Sequence, residues 1–234
     1  MAHALPPPPP PGQQPPPAPV WTPLDEHLWH TCEILADIAE GRLDRRPLVA
    51  TTARLGPGDR TLAVGPGHWA TWRALGDGSY VHENTFAFGS SAFVVGALAT
   101  TAVVNAVRSS RASSDAQPRW VLDGSGYVTV TLEMLHFAEP ASETSLYWSG
   151  LRAIDLVGPD AFQTSYNTVG GDYRTVRIHS PWASLIFALA ALTAFPTHPR
   201  LLSGGWLPPG FEEHCARVGR PCRPAARLLL PGSG

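Results

Sequence analysis

Residues 120–179 read WVLDGSGYVTVTLEMLHFAEPASETSLYWSGLRAIDLVGPDAFQTSYNTVGGDYRTVRIH, and here short runs of β-branched and aromatic residues alternate with turn-forming Gly, Pro, Asp and Asn. The run Tyr127-Val128-Thr129-Val130-Thr131 sends successive side chains to opposite faces and is a strand by both composition and period. Trp120-Val121-Leu122 precedes it across Asp123-Gly124-Ser125-Gly126, which reads as a turn. Met134 to Phe137, Ser145 to Trp148, Leu151 to Val157, Ala161 to Tyr166 and Tyr173 to His179 follow as strands. Glu139-Pro140-Ala141, Gly158-Pro159-Asp160 and Gly170-Gly171-Asp172 separate them. A parallel pair needs a crossover of about a dozen residues, so these connections predict an antiparallel meander.

Ser180-Pro181 ends the meander and opens an apolar run from Trp182 to Phe195, stopped by Pro196. At 1.5 Å per residue this helix is about 21 Å long, short of the roughly 30 Å hydrocarbon core of a bilayer. It is therefore expected to close the sheet as a core helix. Upstream, Thr61 to Val64 and His68 to Leu75 read as two short extended pieces around Gly65-Pro66-Gly67. Before them, Thr22-Pro23-Leu24-Asp25 has the pattern of a capping box with Pro at the first helical position. Leu24, Leu28, Cys32, Leu35 and Ile38 then form one apolar stripe, and Gly41 supplies the stop. Such a stripe needs a docking surface.

Asn84 to Val107 is uncharged and apolar, and has two readings. As a buried inserted helix it places Ala92, Gly96 and Thr100 at four-residue spacing, a small-residue stripe that permits self-association or a protein partner. As a single membrane pass over 86–107, the arginines that follow, Arg108, Arg111 and Arg119, put the rest of the chain in the cytoplasm. The first 21 residues, with Pro6 to Pro11 and Pro15 to Pro17, form a disordered proline-rich arm of polyproline-II type, a shape that aromatic-grooved modules bind.

The resulting organisation is an arm at 1–21, a docking helix at 22–41, a β domain at 58–196 with its insertion at about 84–112, and an extended C-terminal segment at 197–234, in which Trp206 to Pro209 packs back on the core and a short helix runs from Phe211 to Val218. The fold class is α+β: an antiparallel β-barrel or roll closed by a C-terminal apolar helix, with an N-terminal helix and an inserted apolar helix. The order of elements resembles bacterial pleckstrin-homology-like and GRAM-like domains. The likeness rests on the strand ending at Thr131, the strand Met134 to Phe137, the Trp148-Ser149 pair with Leu151 and Ile154, two further strands around a Gly-Gly turn, and the closing helix. That resemblance implies a binding or scaffolding module.

Composition narrows function. Seventeen Lys+Arg, all of them arginine, stand against 19 Asp+Glu, for a net charge of −2, so no basic field for nucleic acid exists. The lysine-free, Ala-, Gly- and Pro-rich composition points to a GC-rich bacterial genome. Three cysteines are an odd number and no apolar signal follows Met1, which suits a reducing cytoplasm; a single-pass inner-membrane location is the alternative. No nucleophile elbow, paired-His zinc motif or phosphate loop is present, so the expectation is a non-enzymatic protein without catalytic residues, metal or cofactor. His214, Cys215 and Cys222, with His198 or Cys32, have poor spacing for zinc. Asp155 with His179, and Asp123 with Ser125, can be drawn as catalytic pairs but fit ordinary turn chemistry. The candidate ligand-binding residues are Arg174 and Arg177, on opposite faces of one strand by the period of two, and Arg152 on a neighbouring strand, so that a phosphate or acidic group can meet one of them.

Overall fold

The computed structural model describes residues 20–76, 115–140 and 142–229. Seven strands form one curled antiparallel sheet: β1 (Thr61–Arg73), β2 (Arg119–Thr131), β3 (Met134–Ala138), β4 (Glu143–Tyr147), β5 (Leu151–Gly158), β6 (Ala161–Asn167) and β7 (Tyr173–His179). Their order across the sheet is β4-β3-β2-β1-β7-β6-β5. Two meanders, of four and three strands, are thus joined through the β1–β7 pair, in place of the single meander expected over 120–179. β4 and β5 lie on opposite edges, yet only the turn Trp148–Gly150 separates them in sequence. The sheet must therefore curl into a half-barrel for its edges to converge there.

Two expectations fail for one reason. Asp123-Gly124-Ser125-Gly126 is no turn, and Gly65-Pro66-Gly67 is no break: both lie inside continuous strands of 13 residues. Gly67 faces Gly126 across the ladder and Trp69 faces Gly124, so these glycines are where the two long strands bend. Asp123 is the extra residue of a bulge between the Trp69–Gly124 and Ala70–Leu122 pairs. A Cβ on Gly126 would stand 2.0 Å from the Ala138 carbonyl oxygen, so β3 crosses β2 too closely for any side chain. Pro66 is tolerated because β7 pairs with β1 only from His68 to Thr71. Next to it, the Trp182 indole Nε1 donates to the Val64 carbonyl oxygen at 3.1 Å.

Helix α1 (Pro23–Ala39) begins as its sequence dictates. Asp25 N–H donates to Thr22 Oγ1 at 3.2 Å and Thr22 N–H donates to Asp25 Oδ2 at 2.7 Å, which completes the capping box. Helix α2 (Ala183–Ala194) is buried along its whole first nine residues, Ala183 to Ala191. One side meets β5, β6 and the Trp148–Gly150 turn; α1 packs against another. Enclosure on all sides explains why its sequence is apolar all round. Its Leu185, Ile186 and Leu189 share one core with Val128, Val130, Phe162, Val176 and Ile178 of the sheet and Leu28 and Leu35 of α1.

The segment after Thr197, expected as extended apart from a short helix from Phe211 to Val218, carries that helix as α4 (Phe211–Arg217), and also α3 (Pro199–Leu202) and α5 (Ala225–Leu228). Trp206 is fully buried, and α5 packs on α1. Among the described residues no helix is long and apolar enough to cross a membrane. Residues 1–19 of the proline-rich arm and the 84–107 segment, with both of its readings, lie outside the described residues.

Candidate functional site

The half-barrel opens at one end into a hollow of about 430 Å³. This end gathers the C-terminal end of β1, the bulge of β2, the last residues of β3 and β6 and the first of β7. Its floor is aromatic: Trp69 and Phe137 are 8% and 3% exposed, with ring centroids 5.4 Å apart. Both point inward by strand alternation, Trp69 flanked on β1 by the glycine bend that lets the sheet wrap around them. The rim is charged, with Arg73, Asp123, Glu139, Asp172 and Arg174, and the Tyr166 and Tyr173 rings complete the wall.

The rim charges differ in how far they are already bound. Asp123 accepts from the Thr71 hydroxyl and from the Arg73 guanidinium, so the bulge that displaced it from the ladder has placed a carboxylate on the inner wall. Glu139 accepts from Ser142 Oγ at 2.8 Å and lies against Gly124, where a Cβ would fall 1.3 Å from its Oε1. Arg174, paired across the ladder with Tyr166, makes no hydrogen bond or ion pair among the described residues. Burial raises the Tyr166 pKa above its ordinary value, so the ring enters the hollow as a neutral phenol. Among the described residues the hollow therefore offers an aromatic floor, one uncommitted cation, Arg174, and the carboxylates of Glu139, beyond β3, and Asp172, in the turn before β7.

Of the three arginines expected to bind a ligand, only Arg174 reaches this hollow. Arg177 sits on the other face, its guanidinium carbon 4.2 Å from the Trp120 ring centroid and its Nη2 donating to Gln163 Oε1 at 2.9 Å. Arg152 is the extra residue at a register shift on the edge strand β5 and is exposed. The odd spacing of Arg174 and Arg177 had assigned them to opposite faces, and they are found so. The drawn catalytic pairs are separated as well. Asp123 faces inward, while Ser125 bonds His68 Nδ1 at 2.8 Å on the outer face; Asp155 is held by Arg200 at 3.2 Å. His198 bonds the Ile154 carbonyl, away from the cysteines. Among the described residues, no group of three or more His, Cys, Asp and Glu has the arrangement to hold a metal ion.

Arg73, Asp123, Glu139 and Tyr166 were not legible as site residues. Asp123 was hidden by its turn-like glycine context, and only the bulge reveals its direction. A usable signal was the Trp69 to Arg73 alternation, which puts Trp69, Thr71 and Arg73 on one face. The connection between β1 and β2 starts and returns beside this hollow: Leu75 N–H and Gly76 N–H both donate to the Asp115 carbonyl, at 2.9 and 3.0 Å. Nearby on the outer face, Trp72 and Trp120 pack with centroids 5.4 Å apart, and Trp72 and Leu122 remain 48% and 63% exposed. No family model, curated protein or solved structure matches the chain.

Proposed function

We propose that the chain is a non-catalytic binding module whose ligand enters the open end of the half-barrel. The observation that carries this reading is the hollow of about 430 Å³, which joins an aromatic floor to the uncommitted Arg174. Small-molecule sites are concave and set apolar and aromatic surface beside placed polar groups that fix orientation; here five charged side chains stand on the rim above the aromatic floor. Catalysis is less well supported, because Asp123 is bound to Thr71 and Arg73 and the hollow's described lining includes no His, Cys or Ser. Four strands, then three, then a helix sharing the core also support the likeness to pleckstrin-homology-like domains, which are binding modules. The ligand class that fits is a small amphipathic molecule with an apolar body for Trp69 and Phe137 and an anionic group for Arg174.

Tryptophan emission provides the assay, with Trp69→Phe titrated in parallel to assign the change to Trp69 among the eight tryptophans. A panel of N-acyl amino acids, aromatic carboxylates and inositol phosphates is titrated against the whole chain and against Arg174→Glu. Binding that shifts the emission and weakens at least about tenfold in the variant is expected, corresponding to loss of one charge-assisted contact. Absence of any response, or equal affinity in Arg174→Glu, rejects the reading.

A second reading is that the apolar 86–107 segment holds a partner or a membrane against this end of the domain. It is favoured by the exposed Trp72 and Leu122 beside the point where that connection leaves and re-enters the sheet. Cytoplasmic and membrane-anchored forms separate on carbonate extraction: pelleting through the wash supports an anchor, and full release without detergent removes it.

A further inference from the structure

Cys32, distant in sequence, comes together with Cys215 and Cys222 at the junction of α1, α4 and the segment before α5. Cys32 and Cys215 are fully buried, on α1 and α4; Cys222 is half-buried, in the segment that runs from α4 to α5. The backbone pins that segment on both sides of Cys222. Trp29 Nε1 donates to the Pro221 carbonyl at 3.4 Å, and Arg223 N–H donates to Glu33 Oε1 at 3.1 Å. Residues 29 and 33 of α1 bracket Cys32, so the Cys222 side chain is held over the turn that carries it. Arg220 N–H donates to the Cys215 carbonyl at 2.9 Å, which brings the second buried thiol under the same segment. Cys222 is thereby set at the junction that carries Cys32 and Cys215.

We propose that Cys222 is a peroxide-reactive thiol whose oxidised form is resolved by Cys32, forming a disulfide that staples the C-terminal segment to helix α1. The chemistry balances. The Cys222 thiolate attacks one oxygen of hydrogen peroxide; the O–O bond breaks, hydroxide leaves and is protonated, and Cys222 becomes a sulfenic acid. The Cys32 sulfur then attacks the Cys222 sulfur. The S–OH bond breaks, the departing hydroxide takes the Cys32 proton, and a second water forms. Two thiols lose two electrons and the peroxide gains them.

The cluster's electrostatics assign the roles. A hydrogen bond from Cys32 is the chief cause that brings the Cys222 pKa down to about 7 from an ordinary 9.0; burial opposes it and a second bond from Cys215 assists. Cys32 is held upward by giving that bond and by burial, and burial likewise pushes Cys215 up to about 12. Of the nearby acids, Glu212 opposes ionisation of Cys222 and Cys32 alike, and Asp25 opposes that of Cys215. The most accessible sulfur is therefore the nucleophile, and the buried thiol beneath it waits as the resolving partner. At pH 7 a thiol of pKa 7 is roughly fiftyfold more ionised than one of pKa 9, while its intrinsic nucleophilicity falls about tenfold, leaving a net advantage of about fivefold.

The native chain is treated with stoichiometric hydrogen peroxide at pH 7, alkylated, digested and mapped by mass spectrometry. The expected product is a Cys32–Cys222 disulfide, with Cys215 alkylated and the bond lost on treatment with dithiothreitol. In Cys222→Ser, whose altered side chain is half-buried, Cys32 and Cys215 should both survive the peroxide as free thiols. In Cys32→Ala, dimedone should trap the sulfenic acid on Cys222; if that variant fails to fold, the disulfide map of the native chain still decides. Three free thiols after treatment, oxidation of Cys222 with Cys32 still alkylatable, or a disulfide that omits Cys32 or Cys222 would each overturn the proposal.

Discussion

At the scale of single residues, the sharpest constraints fall on glycines that look like turn formers in sequence. Gly126 and Gly124 lie two apart on β2 but face different obstacles. A methyl group on Gly126 meets the Ala138 backbone, which cannot yield without displacing β3. One on Gly124 meets the carboxylate end of Glu139, a flexible group. Gly126→Ala should thus cost about 1 to 3 kcal/mol, the usual range for overpacking, whereas Gly124→Ala should fold near normally but swing Glu139 out of the hollow. Chemical denaturation of the two variants checks this prediction, and equal destabilisation would contradict the difference in what they strike.

Glu26 provides the residue-scale pH dependence. Hydrogen bonds from Arg220 and from the Trp21 indole bring its pKa down from 4.5 to about 2. A carboxyl whose folded pKa is depressed contributes stability above its unfolded pKa and loses it as pH falls toward the folded one. The Arg220 contact should accordingly weaken between about pH 4.5 and pH 2. The Glu26 side chain is 36% exposed, so solvent screening reduces its share. A melting-temperature profile of Glu26→Gln should show a shallower acid slope than the parent; an unchanged slope would count against the contact.

At the scale of elements, α2 is the piece on which the most structure depends. It touches the sheet and α1 at once, and Leu189 is 3% exposed within that double contact. Leu189→Asp puts an unpaired carboxylate there, which should destabilise by at least about 3 kcal/mol and abolish the cooperative melt at 37 °C. Circular dichroism on the variant is sufficient, and a native melt would show that the helix lies elsewhere. By comparison α1 begins with a capping box at an exposed end, so Thr22→Ala should cost only about 1 kcal/mol. The apolar pattern of α1 was readable as a stripe with one docking face. That of α2 was readable only as strongly apolar, since a helix enclosed by two layers has no polar face to give its orientation.

For the whole molecule, the C-terminal segment works as a clasp. Arg223 reaches Glu33 at 2.9 Å, Asp37 at 2.8 Å and Glu40 at 3.1 Å, three carboxylates along one side of α1. It also donates to the Glu33 carbonyl at 2.6 Å. Arg223→Ala should cost about 1 to 3 kcal/mol, because several bonds to charged groups are lost together and the acids are left facing one another. It should also raise protease sensitivity beyond Val218 before the sheet unfolds, because local opening is governed by local contacts. Limited proteolysis followed by mass spectrometry measures both the site and the order of cleavage.

The strands, the capped α1 and the apolar α2 were determined by sequence alone, because hydrophobic period, cap chemistry and propensity are local and survive without knowledge of the fold. Tertiary structure decided the rest: which strands are neighbours, that two apparent turns are bends inside long strands, and that Arg174 shares a hollow with Trp69 while Arg152 and Arg177 do not. It also decided that Cys32, Cys215 and Cys222 meet. The physical reason is the same in each case, since pairing, bulging and side-chain convergence depend on contacts between residues distant along the chain, and a period of two or 3.6 carries no information about partners.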